Sequence, residues 1–399
     1  MKFFKSLFIF LIFSASLFGG VFVRYLDENF LLVRRADFFR AQVVLPESQL
    51  VPQRPSPTPH TPNPSAEGGS ASGGKPYTLL FVGDIMLARG VEHYINKYGG
   101  GDFRYPFLKI AEFLNQADLV FGNLEGPVSM RGKNQGSIYS FRMNPKAIEG
   151  LKFAGFDVLS LANNHIWDWG REALEDTLAL IRANGSMTVG AGRNYEEANT
   201  PARFTISARG ARLPDGQGSA FGGQDTRVTI FAFTNLYPKS LEATASRSGI
   251  SQFEPEIIKQ KIAEALACEK RASALAPLAL RQCESAHTNT ADIIVVSFHW
   301  GEEYKISANK FQKSLAHELI DAGADLIIGH HPHVVQEVEH YKNGWIFYSL
   351  GNFIFDQNFS KDTKKGIIVK VIIRDKKIIS AEPVEINFTP TFQPEIKGL

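Results

Sequence analysis

"DLIIGHHPHVVQ" (residues 325–336) begins as an apolar run and ends with three histidines in four positions, set around Pro332. The run has strand length and no polar alternation, so it reads as a strand covered on both faces. A hydrophobic core has no use for His330, His331 and His333 together, and neither has an exposed loop. Imidazoles gathered at a strand end point instead to ligand chemistry. Residues two apart on extended backbone point the same way. Pro332 fixes its own φ and biases the residue before it towards extended backbone. The expectation is therefore an extended His331, with His331 and His333 facing one metal cluster. His330 then points elsewhere, into packing or a supporting hydrogen bond.

The same construction recurs along the chain. "YTLLFVGD" (77–84) ends at Asp84, and "DLVFGNLE" (118–125) ends at Asn123 and Glu125. "DVLSLANNH" (157–165) ends at Asn163, Asn164 and His165, while "DIIVVSFHWGEE" (292–303) reaches His299 with Glu302 and Glu303 just beyond. Between the runs lie helical patterns, among them "REALEDTLALIRANG" (171–185) and "NKFQKSLAHELIDAGA" (309–324). Strands alternating with helices imply an α/β fold with a large parallel component. In such folds sites form beyond the carboxyl ends of the strands. Five ends carrying Asp, Glu, Asn and His converge there, a mixed N and O donor set suited to one or two divalent transition ions such as Mn, Fe or Zn. "GWIFYSLGNFIFDQ" (344–357) either brings Asn352 into the same cleft or is a core strand followed by a turn. His93, His287, His317 and His340 sit in polar or helical contexts and read as ordinary histidines.

The rest of the chain sets the context. "LFIFLIFSASLFGGVFV" (7–23) is uncharged and follows Lys2 and Lys5. It reads as an uncleaved signal-anchor within residues 1–25, the alternative being a cleaved secretory signal. The flanking lysines place the remainder outside the cytoplasm. Residues 26–75 form a linker that becomes rich in Pro, Gly and Ser, and a globular domain is expected over 76–390. The net charge of +2 and the lack of any nucleic-acid motif exclude a nucleic-acid partner. Cys268 and Cys283, the only cysteines, are expected to pair in an oxidising compartment, free buried thiols being the alternative. "KGIIVKVIIRDKKIISAEPVEINFTP" (365–390) reads as a hairpin about Asp375–Lys377, which would make the sheet mixed. The glycine-rich stretch 207–226 reads as a hairpin extension rather than a phosphate cradle, because no helix pattern follows it.

Six stretches in order resemble one bacterial family: "FVGDIMLARG" (81–90), "FGNLEGPV" (121–128), "LANNH" (161–165) with "DWG" (168–170), "SFHWGEEY" (297–304), "IGHHPHVVQ" (328–336) and "YSLGNFIFDQ" (348–357). The family is the capsule-synthesis proteins called CapA, or PgsA in poly-γ-glutamate producers. It in turn resembles the calcineurin-like metallophosphoesterases. That resemblance implies a metallo-dependent phosphatase-like four-layer sandwich, two mixed β-sheets flanked by helices. It also implies metal ligands Asp84, Glu125, Asn164, His299, His331 and His333, with His165 as general acid. Asn123, Asn163, Glu303, His330 and Asn352 would support them or line the cleft. The implied role is synthesis, export or anchoring of an anionic capsule polymer at the membrane, alongside other synthase subunits. Two departures bear on chemistry. Ile85 and Met86 follow Asp84 where phosphoesterases have Asp-x-His, and Glu125 stands where they have the shorter Asp. A metal-dependent phosphoesterase acting on phosphodiesters or wall polymers and a non-catalytic polymer-binding scaffold are therefore the rival readings. Arg89, Arg131, Lys133, Arg142 and Lys146 could line a polyanion cleft.

Overall fold

A computed structural model describes residues 75–206, 212–214, 225–266 and 291–398. The anchor segment, the linker, the Cys268–Cys283 pair and most of the glycine-rich stretch lie outside these residues. Among the described residues no helix is long and apolar enough to cross a membrane.

The chain builds one sheet, leaves it to build a second, and returns to the first. The opening strands are β1 (Tyr77–Ile85), β2 (Leu119–Leu124), β3 (Val158–Ser160) and β4 (Met187–Val189), all parallel. The second sheet follows: β5 (Ala202–Ile206), β6 (Arg212–Pro214), β7 (Thr226–Thr234), β8 (Ile293–His299), β9 (Leu326–His330), β10 (Val338–Tyr341) and β11 (Gly344–Phe347). Its spatial order is β10-β11-β9-β8-β7-β5-β6, with a parallel centre and antiparallel edges. The chain then returns with β12 (Asn352–Ile354), β13 (Lys365–Arg374), β14 (Lys377–Phe388) and β15 (Pro394–Ile396). The completed first sheet runs β15-β14-β13-β1-β2-β3-β4, with β12 pairing onto the far end of β1. The expected hairpin is β13–β14, turning through Asp375 and Lys376 at positive φ. The sheet continues past residue 390, because β15 pairs with β14.

The uniform apolar runs follow from burial on both faces. In β1, Leu79 and Phe81 face the other sheet, while Leu80 and Val82 face helices. In β8, Ile293 and Val295 face the first sheet, while Ile294, Val296 and Phe298 turn outward to helices. The period of two is present, but both phases are apolar. Helices α1 (Arg89–Tyr98), α2 (Ala147–Phe153) and α3 (Gly170–Ala183) cover the first sheet. Helices α4 (Pro255–Ala265) and α5 (Lys310–Asp321) cover the second, α5 starting with a full capping box at Asn309 and Gln312. The result is four layers, helix–sheet–sheet–helix, the α/β class expected.

The strands also share a device at their starting ends. Asp118, Asp157, Asp292 and Asp325 each precede a strand, and each accepts a hydrogen bond from the neighbouring strand: from the N–H of Thr78, Val120, Arg227 and Ile294, at 2.8 to 2.9 Å. Each returns its own N–H to the carbonyl of that same residue. Four carboxylates thereby close the ladders and stagger one strand against the next.

Candidate metal centre

The opposite ends of these strands meet between the sheets. Register places Asp84 beside Asn123 on one side and Asn352 on the other, and sets His299 beside His330. The pairing of β12 onto β1 requires Gly83, where a Cβ would lie 2.0 Å from the carbonyl oxygen of Gly351.

Asp84 is fully buried. Its Oδ1 accepts from Asn123 Nδ2 at 2.8 Å and its Oδ2 from the backbone N–H of His331 at 3.2 Å. Asn123 also donates to His299 Nδ1 at 3.2 Å, which leaves His299 Nε2 to donate to Asn164 Oδ1 at 2.8 Å. Asn163 donates to Asn123 Oδ1 and to the Leu124 carbonyl, and its own oxygen accepts from the His165 N–H. A chain of buried amides thus links Asp84 to His165. Glu125 is fully buried too, yet neither of its oxygens has a hydrogen-bond partner. Its nearest nitrogen neighbours are His333 Nε2 at 3.5 Å and His165 Nε2 at 3.8 Å.

His331 and His333 come together, with ring centroids 5.8 Å apart, but not by the expected route. Both residues have positive φ, 96° at His331 and 56° at His333, so His331 is not extended. Proline constrains the residue before it only statistically. Here the His331 N–H turns in to Asp84, and the Pro332 carbonyl accepts from Tyr304 N–H at 2.8 Å. Bulky residues in this region carry strain of order 1–3 kcal/mol each. His330 points away from the cluster, between the sheets, its Nε2–H donating to the Val82 carbonyl at 3.2 Å. Asn352 Oδ1 accepts from His333 Nδ1 at 3.0 Å, so Asn352 lines the cleft. His317 and His340 lie elsewhere, His317 stacked on Tyr341 and His340 edge-on to Trp345.

The electrostatics follow from burial and crowding. Burial raises Glu125 well above the ordinary carboxylate range, with His333 pulling the other way. Burial acts to raise Asp84 as well, but the His333 hydrogen bond and the neighbouring imidazoles hold it lowered. His299 is pushed well down by burial and by the other histidines, and His331 falls to about 3 by burial and then His333. His333 goes the opposite way: despite burial, Glu125 and Asp84 hold it up at about 9. Its ring lies between the carboxyl groups of Asp84 and Glu125, at 3.3 and 3.5 Å.

The donor set fits a divalent ion. Asp84, Glu125 and His299 form one group, and Glu303, His331 and His333 another, the ligand atoms of each lying within 4.8 Å of one another. His331 Nδ1 is buried without a partner, as are both Glu125 oxygens. Met86 contributes no nitrogen, its sulfur accepting instead from the Ala88 N–H at 3.2 Å.

His165 sits beside this cluster. Its Nδ1 donates to Asp168 Oδ2 at 2.8 Å, its ring lies 4.0 Å from that of Phe141, and Asp168 also accepts from the Phe141 N–H. Reading the strand ends did not single out Asp168. The available signal was an acidic residue three positions after the histidine, in "HIWD". The suggested polyanion cleft fares less well. Arg89 pairs with Asp356 at 3.2 Å, Arg131 with Asp176, and Arg142 covers the Trp169 ring.

Comparison with known proteins now supplies the context. The model of the family described as "Bacterial capsule synthesis protein PGA_cap" matches residues 78–357, from β1 to just beyond β12. This chain belongs to that capsule-synthesis family. The capsule biosynthesis protein CapA of Bacillus anthracis is 32% identical over 314 residues, 78% of this chain and 67% of that protein. The PGA biosynthesis protein CapA of Bacillus subtilis is 31% identical, over 72% of this chain and 66% of its own length. The chain thus spans about two thirds of these relatives. A probable polyglutamine synthesis accessory protein of Mycobacterium tuberculosis is 26% identical, with 70% and 74% covered. Among solved structures, a Mycoplasma pneumoniae phosphatase superposes with TM-score 0.40 at 15% identity, covering 79% of this chain and 94% of its own. The site described above is therefore that of a capsule-synthesis family protein.

Proposed function

We propose that this chain is a membrane-anchored, extracytoplasmic capsule protein with a metal-dependent, hydrolase-like site. That site acts on an anionic capsule polymer, of which poly-γ-glutamate is the leading candidate, or on its precursor. The named roles of the capsule and polyglutamine relatives support the pathway. The uncharged run 7–23 supports the anchor. Glu125 carries the chemical part: a fully buried carboxylate with no hydrogen-bond partner, set among Asp84, His333 and His165. Burying such a group is costly unless a cation meets it. Asp84, Glu125, Asn164, His299, His331 and His333 would hold the ion, and imidazoles mixed with carboxylates favour Mn, Fe or Zn. When bound, a divalent ion supplies Lewis-acid polarisation of the scissile group.

The remaining work falls to the chain's own groups. Asp168 fixes the proton on His165 Nδ1, leaving Nε2 directed at the cluster. Nε2 can there take a proton from an attacking water and pass it on to a leaving group. The ring contact with Phe141 restricts rotation of the imidazole.

Two measurements test this. Elemental analysis of chelator-free protein should find stoichiometric transition metal, and a folded, metal-free preparation would sink the metal reading. His165→Ala should keep the metal but lower capsule production, with turnover falling about 10²–10⁴-fold as for a lost general acid. Full capsule production by His165→Ala cells would favour the scaffold reading.

A further inference from the structure

We propose that Glu303 is a metal ligand, a carboxylate from the loop after β8 that stands in for the imidazole lacking at Met86. The inference rests on the metal reading above and adds to it.

Three observations carry it. The position two residues after Asp84 is closed to metal binding, because the Met86 sulfur is buried and engaged by the Ala88 N–H. A Glu303 oxygen and one nitrogen each from His331 and His333 all lie within 4.8 Å of one another. Finally, His331 is buried and its Nδ1 has no partner, so the histidine pair that Glu303 approaches still offers an unused donor.

The loop holds Glu303 in place through backbone. Gly301 has φ +85°, and a Cβ there would lie 2.8 Å from the Gln312 side chain. Tyr304 has φ +63°, and its N–H donates to the Pro332 carbonyl at 2.8 Å. The residue after Glu303 is thereby tied to the residue between the two histidines. The carboxylate is delivered beside them by this main-chain bond, and it also hydrogen-bonds to the Tyr304 side chain. Glu302, one position earlier, belongs to neither ligand group.

Exchanging an imidazole for a carboxylate hardens the donor set, which moves preference away from Zn and towards Mn or Fe. Glu303 is also partly exposed, unlike Asp84 and Glu125. An ion held by it is the one that should exchange with solvent more readily.

The test uses the full chain purified in detergent, stripped with chelator and reloaded with Mn²⁺ or Zn²⁺. Metal content is read by elemental analysis and affinity by calorimetry. Glu303→Gln should lose one ion per chain or bind its weakest ion more weakly by more than the roughly 10–100-fold that loss of a group merely supporting a ligand costs. Glu303→His should restore the ion and shift preference to Zn, while Glu302→Gln should match wild type. Thermal unfolding of the metal-free variants controls for folding. Glu303→Gln with wild-type content and affinity would overturn the proposal while leaving the metal centre standing. Wild type that takes up no metal would remove both.

Discussion

The two ends of the strands use carboxylates in opposite ways. At the starting ends, Asp118, Asp157, Asp292 and Asp325 each satisfy a backbone N–H of the neighbouring strand. At the finishing ends, Glu125 is buried deeper than any of them and satisfies nothing. The same functional group thus stabilises the fold at one edge and is held in reserve at the other. The strand ladders fix the relative heights of the chain, and the unpaired groups at the far edge inherit that precision.

The sharpest way to break the comparison is to neutralise Glu125. Glu125→Gln should abolish metal uptake, by elemental analysis, and should lower the unfolding temperature of the metal-free protein less than loss of a starting-end aspartate does, because only the charge interaction with His333 goes. A buried carboxylate without a hydrogen-bond partner contributes little to stability, and an amide of the same shape avoids its desolvation. A loss of stability as large as that of an aspartate variant would place Glu125 with the aspartates instead. The converse substitution is Asp325→Ala. It leaves the Ile294 N–H unpaired and should cost about 1–3 kcal/mol in denaturant unfolding, with metal content per folded chain unchanged. Loss of metal before loss of stability would break the division between the ends.

The smallest effect is one of pH. His333, held at about 9, carries its proton at neutral pH in metal-free protein, and a metal can use it only when neutral. Metal affinity should therefore weaken by up to about tenfold per pH unit as pH falls below about 9. The metal-free fold behaves with the opposite sign. A raised folded-state value contributes stability that is complete below the unfolded value and fades as pH rises through about 9. Thermal unfolding with and without Mn²⁺, from pH 6.5 to 9.5, checks both slopes. Parallel curves would remove His333 from the binding step.

Much of this was legible in the sequence, for identifiable reasons. Strands covered on both faces write themselves as unbroken apolar runs, and ligand residues stand out where the runs stop. The division into two sheets was not visible in the runs themselves, because pairing partners lie far apart; it came only with the family resemblance. The conformation at His331 was misread because a tertiary hydrogen bond to Asp84 overrides the local preference before proline. Asp168 escaped because it follows His165 within one turn rather than ending a strand. The aspartates that begin four of the runs were visible as letters, but their partners belong to neighbouring strands and could be seen only once those strands were in place.

The route of the chain has a consequence for timing. β1 is made first, yet its neighbours β12 and β13 are among the last segments to be synthesised. Asp84 waits for Asn352, 268 residues later, before its strand is flanked on that side. Contacts so distant in sequence form late and slowly. The sheet therefore cannot close around Asp84 on that side until residue 352 has been made. A metal held as proposed would meet its complete site only after that closure, so the ions present where the chain folds would set which metal is on offer.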